Sequence, residues 1–197
     1  MKIGIFAGTF DPIHSGHIEF AKAAIQTGGL DRVIVVAEKE PYRKKPHASW
    51  DHRQAMIERA TEELGQVDHD YEFAAQLSHQ HTMKDMLKNA SKHYGKEHEY
   101  WFLVGSDVFE HMHQWHDLIK SHEYGGFVVA LRDDHTVQWL EEKQLELKDR
   151  IKSLIVIANN HPHVSSSKIR SLSKQNLPLA NVSENIAHYI QNHQLYR

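Results

Sequence analysis

The residues of this sequence best placed to do chemistry form one run, Gly8-Thr9-Phe10-Asp11-Pro12-Ile13-His14-Ser15-Gly16-His17. It follows a short apolar stretch, Lys2 to Ala7, and leads into a segment with Ile18, Ala21, Ala24 and Ile25 on one helical face. Gly8 lets backbone come close to a ligand, Pro12 favours an extended Asp11, and Ser15 is placed to cap a helix that begins near Gly16. His14 and His17 then stand at a helix N-terminus, where unpaired N–H groups and the helix dipole favour an anion. Two imidazoles there can donate to phosphoryl oxygens and stabilise charge developing on them. His-x-x-His admits two other readings: a turn with both rings in solvent, or two metal ligands on one helical face, which would want further ligands and a second shell. The strand-to-helix position of the run favours the anion. Neither G-x-G-x-x-G nor G-x-x-x-x-G-K-[ST] is present there, which argues against a dehydrogenase or a P-loop kinase.

The elements that must position this run follow from periodicity. Short apolar runs predict strands at Lys2 to Ala7, Val33 to Ala37, Tyr71 to Ala75, Tyr100 to Val104, Phe127 to Leu131 and Leu154 to Ala158. Between them, Met56, Ile57 and Ala60 mark a second helix and Met83, Met86 and Leu87 a third; Ser183 to His193 reads as a closing helix with Ile186 and Ile190 inward. Strands alternating with helices, several strands being continuously apolar, predict an α/β fold: a Rossmann-like, doubly wound parallel sheet with helices on both faces. Such sheets bind ligands outside the carboxyl ends of their strands, where the strand order reverses. No repeat or linker divides the chain, so residues 1–197 are expected to form a single domain, with Glu38 to Trp50 as a long functional loop.

Composition narrows the partners. A formal charge of −3 over 197 residues, with both signs interspersed, lacks the positive field of a nucleic-acid binder. No apolar stretch approaches the roughly 18 to 20 residues of a membrane span, and the first strand, broken by Gly4, is too short for a signal-peptide core. With no cysteine, thiolate chemistry is excluded, and a reducing, cytoplasmic setting is expected. Most of the 18 histidines are expected to be solvated.

The run from Gly8 to His17 resembles the signature of the HxGH nucleotidyltransferase superfamily, and the length of the chain is closer to the bacterial nicotinate-nucleotide adenylyltransferases than to the shorter phosphopantetheine enzymes. Three more segments carry the resemblance. Trp101-Phe102-Leu103-Val104-Gly105-Ser106-Asp107, with Trp115 beyond, is similar to the family's Gly-x-Asp strand end and tryptophan segment. Val164-Ser165-Ser166-Ser167-Lys168-Ile169-Arg170 is similar to Ile-Ser-Ser-Thr-x-Ile-Arg; its serines offer hydroxyls and N–H groups, and Arg170 can fork onto phosphate. His81-Thr82 resembles a Tyr-Thr turn, although Thr82 reads equally well as a helix cap.

What the resemblance implies is transfer of AMP from ATP to the phosphate of nicotinate mononucleotide, with pyrophosphate released and Mg²⁺ arriving on the triphosphate. It implies ATP contacts from Gly8, Thr9, Phe10, His14, His17, Gly105, Asp107, Ser165, Ser166, Ser167 and Arg170, with His14, His17 and Arg170 carrying catalysis. It also implies acceptor contacts from Lys44, Thr82 and Trp115. Where the nicotinate enzymes show asparagines, Pro-Pro-His and a basic residue, this chain has Glu38-Lys39-Glu40-Pro41-Tyr42-Arg43-Lys44-Lys45. Lys44 keeps the basic position, while the other changes leave open a different acceptor (nicotinamide mononucleotide, phosphopantetheine or a sugar phosphate) without touching the adenylyl chemistry; a nucleotide-binding regulator that keeps the pocket without turnover is a separate alternative.

Overall fold

A computed structural model describes residues 1–41, 45–77, 82–111, 125–131, 135–158 and 164–197. Tyr42, Arg43, Lys44, His81 and Trp115 lie outside the described residues. Along the chain run β1 (Lys2–Gly8), α1 (Ser15–Gln26), β2 (Arg32–Ala37), α2 (Trp50–Thr61), β3 (Val67–His69), α3 (Tyr71–Gln76) and α4 (Met83–Tyr94). Then come β4 (Glu99–Gly105), α5 (Ser106–Phe109), β5 (Phe127–Ala130), α6 (Val137–Glu146), β6 (Leu154–Ile157), α7 (Ser166–Lys174) and α8 (Glu184–Asn192).

The six strands form one parallel sheet in the order β3-β2-β1-β4-β5-β6. Because side chains alternate across a strand, a sheet covered on both faces needs apolar residues at both parities. The strands supply them. Ile3, Ile5, Ile34, Val36, Tyr100, Phe102 and Val104 pack on one side with Phe73 of α3, Met86, Leu87 and Ala90 of α4, Phe109 and Leu140. Phe6, Val33, Val35, Trp101 and Leu103 pack on the other with Ala21 and Ala24 of α1, Met56 and Ile57 of α2, and Ile186 and Ile190 of α8. The doubly wound parallel sheet expected from the sequence is therefore what forms.

The strand order reverses at β1. The chain steps outward through β2 and β3, then returns to β4 on the other flank, so the loops leaving β1 and β4 part and open a crevice between them. Right-handed crossovers bring each helix back along the sheet, which sets the N-termini of α1, α2, α4, α5 and α7 at this same carboxyl edge.

One predicted strand is corrected. Tyr71 to Ala75 is not extended; it is the helix α3, and the third strand is the three residues of β3 before it. The apolar run misled because its register is helical: Asp70 caps it by accepting the Phe73 N–H (2.8 Å), and Phe73 and Ala74 turn into the core beside α4. The other Asp70 oxygen accepts from the Tyr94 hydroxyl (2.9 Å) and lies 3.1 Å from the His93 ring.

Burial opposes the Asp70 charge, yet the Phe73 N–H, Tyr94 and His93 together hold its carboxyl below the ordinary range. Stability from a depressed carboxyl is present above its unfolded value and is lost as pH falls through the folded one. Asp70→Ala is expected to lower stability by roughly 1–3 kcal/mol at neutral pH. The deficit against the wild type should shrink in acid as the native carboxyl protonates, as read by denaturant unfolding at several pH values.

Candidate active site

The first loop is built around a glycine and a strained phenylalanine. Phe10 adopts a left-handed backbone (φ 45°) and folds its ring back over Gly8, where a Cβ would meet that ring at 3.1 Å. The ring is 3% exposed, edge-on to Phe6 (5.1 Å) and to the His17 imidazole (4.9 Å). Phe10 can thus offer a ligand its backbone but hardly its side chain.

α1 starts one residue earlier than the sequence predicts. Ser15 is its first residue and His14, in extended backbone, is the N-cap; the Ser15 N–H donates to the Asn181 carbonyl (2.9 Å). The His14 N–H donates to Nδ1 of His17 (3.2 Å), and the two rings stack with centroids 3.6 Å apart and planes 19° from parallel. A ring nitrogen that accepts carries no proton, so neutral His17 has its N–H on Nε2. Both imidazoles are thereby held together at the dipole-positive end of α1, His17 the more exposed and His14 7% exposed.

α7 docks against the same loop. Ser165 caps it by accepting the Lys168 N–H (3.3 Å) and lies 3.1 Å from the Ser167 hydroxyl. Ser166 donates to the Pro12 carbonyl (2.9 Å) and Arg170 to the Asp11 carbonyl (2.7 Å). One of the five Arg170 donors is fixed by that bond, and Ser167 stands at the surface. The N-termini of α1 and α7, far apart in sequence, therefore flank one loop.

At the end of β4, Gly105 caps α5 and Asp107 is exposed. Ser106 between them is fully buried, with its hydroxyl 2.9 Å from Nδ1 of His135, whose ring packs on Trp139 (3.9 Å). Thr82 caps α4 in a reciprocal box with Asp85: its hydroxyl accepts the Asp85 N–H (3.1 Å) and its own N–H donates to the Asp85 carboxylate (3.3 Å). Among the described residues, no three His, Asp or Glu side chains converge as a metal site.

Two side chains that hold the site together were given no site role from the sequence, although Asp11 lies within the first run. Asp11, 3% exposed, accepts the N–H groups of His47 (2.7 Å) and Ala48 (3.0 Å) and the Tyr196 hydroxyl (2.9 Å). Arg53, 1% exposed, donates to the carbonyls of Thr9 (2.8 Å), Glu38 (2.8 Å), Lys39 (3.3 Å) and Ala48 (3.3 Å). Together they stitch the loop after β1 to the described parts of the 38–50 loop, which Trp50 closes by donating to the Ala37 carbonyl (2.9 Å). Burial lowers the Arg53 pKa, and the charge of Asp11 counters it most strongly. A signal was present for Arg53: it sits three and four residues before Met56 and Ile57, a charge on the apolar face of α2.

Arg53→Met is expected to cost roughly 3–5 kcal/mol, since it removes the charge that compensates Asp11 and takes the donor from one buried and three part-buried carbonyls. Arg53→Lys should fall between, because an ammonium cannot reproduce the fork. Equilibrium unfolding in urea measures both; a loss below about 1 kcal/mol for the methionine variant would remove Arg53 from this role.

Residues 5–172 match the cytidylyltransferase-like family. The chain is 33% identical over 209 residues to a probable nicotinate-nucleotide adenylyltransferase of Neisseria gonorrhoeae, across 99% of this chain and 98% of that protein. It is 30% identical over 210 residues to a probable nicotinate-nucleotide adenylyltransferase of Pseudoalteromonas atlantica, across 99% and 94%. Among solved structures, a Plasmodium falciparum nicotinic acid mononucleotide adenylyltransferase complexed with NaAD superposes with a TM-score of 0.79 over 99% of this chain and 97% of that one. At 17% identity that likeness speaks for the fold. Since the family match runs from β1 into α7 and the bacterial relatives align along nearly the whole length, the chain belongs to the cytidylyltransferase-like family of nucleotidyltransferases and, within it, to the nicotinate-nucleotide adenylyltransferases.

Proposed function

We propose that this enzyme transfers AMP from ATP to the phosphate of nicotinate mononucleotide, the last joining step in making a pyridine dinucleotide. The observation that carries the reading is the convergence of the α1 and α7 N-termini on one loop, with stacked His14 and His17 at one end and Arg170 at the other. The names of the bacterial relatives support nicotinate mononucleotide as the acceptor.

In this mechanism an oxygen of the acceptor phosphate attacks the α-phosphorus of ATP. A new P–O bond forms at the α-phosphorus as its bond to the oxygen bridging the α- and β-phosphates breaks, and pyrophosphate leaves on the opposite side, carrying that oxygen. The acceptor is already an anion at neutral pH, so acceleration comes from positioning and from donors aimed at the reacting oxygens rather than from a strong base. His17 presents its Nε2–H, fixed by the bond at Nδ1, and His14 supports it face to face. Ser165, Ser166, Ser167 and Arg170 hold the pyrophosphate end. Gly8, Thr9 and Phe10 offer backbone to the nucleotide, with Gly105 and Asp107 across the crevice. Lys44, Thr82 and Trp115 serve the acceptor. Mg²⁺ enters as part of the ATP substrate. The whole of 1–197 acts as one domain, in the cytoplasm, without nucleic-acid or membrane partners; no described helix is long and apolar enough to cross a bilayer.

His17→Ala is expected to lower kcat by about 10²–10³, the usual effect of removing one donor to a developing oxyanion. It should cost stability only about 1 kcal/mol, since the bond to the His14 N–H is lost. Near-normal turnover in a folded variant would refute the assignment. With Mg²⁺-ATP, dinucleotide should form with nicotinate mononucleotide and far less with nicotinamide mononucleotide. The reverse preference would move the acceptor, in keeping with the unusual Glu38 to Lys45 segment; pyrophosphate release with neither would overturn adenylyl transfer to a pyridine nucleotide.

A further inference from the structure

The segment after α8 turns back into the candidate site. Its path is fixed by the Leu195 N–H on the Ile190 carbonyl (3.0 Å) and the Ser173 hydroxyl on the Leu195 carbonyl (2.9 Å). Gln194 and Tyr196 both adopt left-handed backbone (φ 51° and 67°), a conformation that non-glycine residues hold only when their surroundings impose it. The result is that the Tyr196 hydroxyl reaches Oδ1 of Asp11 at 2.9 Å, across 185 positions of sequence. Burial, together with the charge of Asp11, pushes the Tyr196 hydroxyl far above its ordinary range, so it stays a proton donor.

Arg170 is anchored one bond away, on the main-chain carbonyl of the same Asp11, and its charge acts on the Tyr196 oxygen. A guanidinium prefers a carboxylate to a neutral carbonyl, and a charge-assisted bond is about twice as strong as a neutral one. The Asp11 carboxylate would therefore draw Arg170 away from phosphate unless its lone pairs were already taken. They are taken by the His47 N–H on Oδ2, with the His47 ring 3.3 Å from the same oxygen, and by the Ala48 N–H and the Tyr196 hydroxyl on Oδ1.

We infer that Tyr196 is a positioning residue for Arg170: by occupying the Asp11 carboxylate, its hydroxyl keeps the guanidinium turned toward the pyrophosphate end of ATP. The inference rests on the function proposed above and adds a residue to it. Tyr196 touches neither substrate, and its effect falls on one substrate only.

The test is Tyr196→Phe beside a matched control, Tyr94→Phe, which removes a half-buried hydroxyl from another carboxylate, Asp70 (2.9 Å), in the α3–α4 region. Tyr196→Phe is expected to raise the KM for ATP about tenfold and to lower kcat, with the KM for the acceptor within about twofold. Both variants should lower the thermal midpoint by similar amounts, while Tyr94→Phe leaves kcat and both KM values within about twofold. In an Arg170→Ala background, Tyr196→Phe should add little to the ATP defect, because the two changes act through one interaction. The inference is overturned if Tyr196→Phe leaves the ATP KM unchanged, if it shifts both substrates alike, or if its effect persists in full without Arg170. Should the unaltered protein make no dinucleotide from any acceptor, the proposed function fails separately; calorimetric ATP affinity then replaces KM, with the same tenfold weakening expected and unchanged affinity overturning the inference.

Discussion

A carboxylate buried in the loop after β1 is tolerable only if its lone pairs are met and an opposite charge lies near, and Asp11 imposes that demand here. Its answers come from four places: the backbone at His47 and Ala48, the guanidinium of Arg53, the hydroxyl of Tyr196, and Arg170 on its carbonyl. Each donor belongs to a different stretch of chain. Meeting the demand therefore fixes the loop after β1, the described parts of the 38–50 loop, α7 and the segment after α8 relative to one another, before any substrate arrives. The protein orders its site by satisfying one buried charge.

The sheet supplies the place where this is useful. Reversal of strand order at β1 opens a crevice between the ends of β1 and β4, and right-handed crossovers deliver helix N-termini to its rim. N–H groups without intrahelical partners and positive dipole ends then face the space a triphosphate would fill. Within that frame the His14–His17 stack is a local consequence of capping: one ring accepts at the cap, so the proton of the neutral ring sits on Nε2. Stabilisation of the helix end and orientation of a donor are one interaction, which is why a change at His17 touches both.

The motif residues divide between those held inside and those left at the surface. Phe10 and Asp11 face inward and Ser166 is tied to the Pro12 carbonyl, whereas Ser167 and Asp107 remain at the surface and Arg170 keeps donors beyond the one it gives to Asp11. Transfer between two anionic substrates needs donors already in place, since reorganising them during the reaction would add to the barrier.

Much of this was legible in the sequence, because strands apolar at both parities and period-3.6 helices report burial directly; the parallel sheet, α1, α2, α4 and α8 follow from such patterns. The run Gly8 to His17 was legible too, since glycine, proline and histidine at a strand-to-helix turn carry their physics locally. Local signals failed where competing ones were equal: Tyr71 to Ala75 is apolar enough for a strand, and only the Asp70 cap and the packing of Phe73 made it a helix. They were silent where the partners are distant. Nothing near Asp11 announces Tyr196, and nothing near Thr9 announces Arg53, because a buried charge is compensated by whatever the fold brings within a few ångströms, and that proximity is decided by the crossing of loops at the sheet edge rather than by any spacing along the chain.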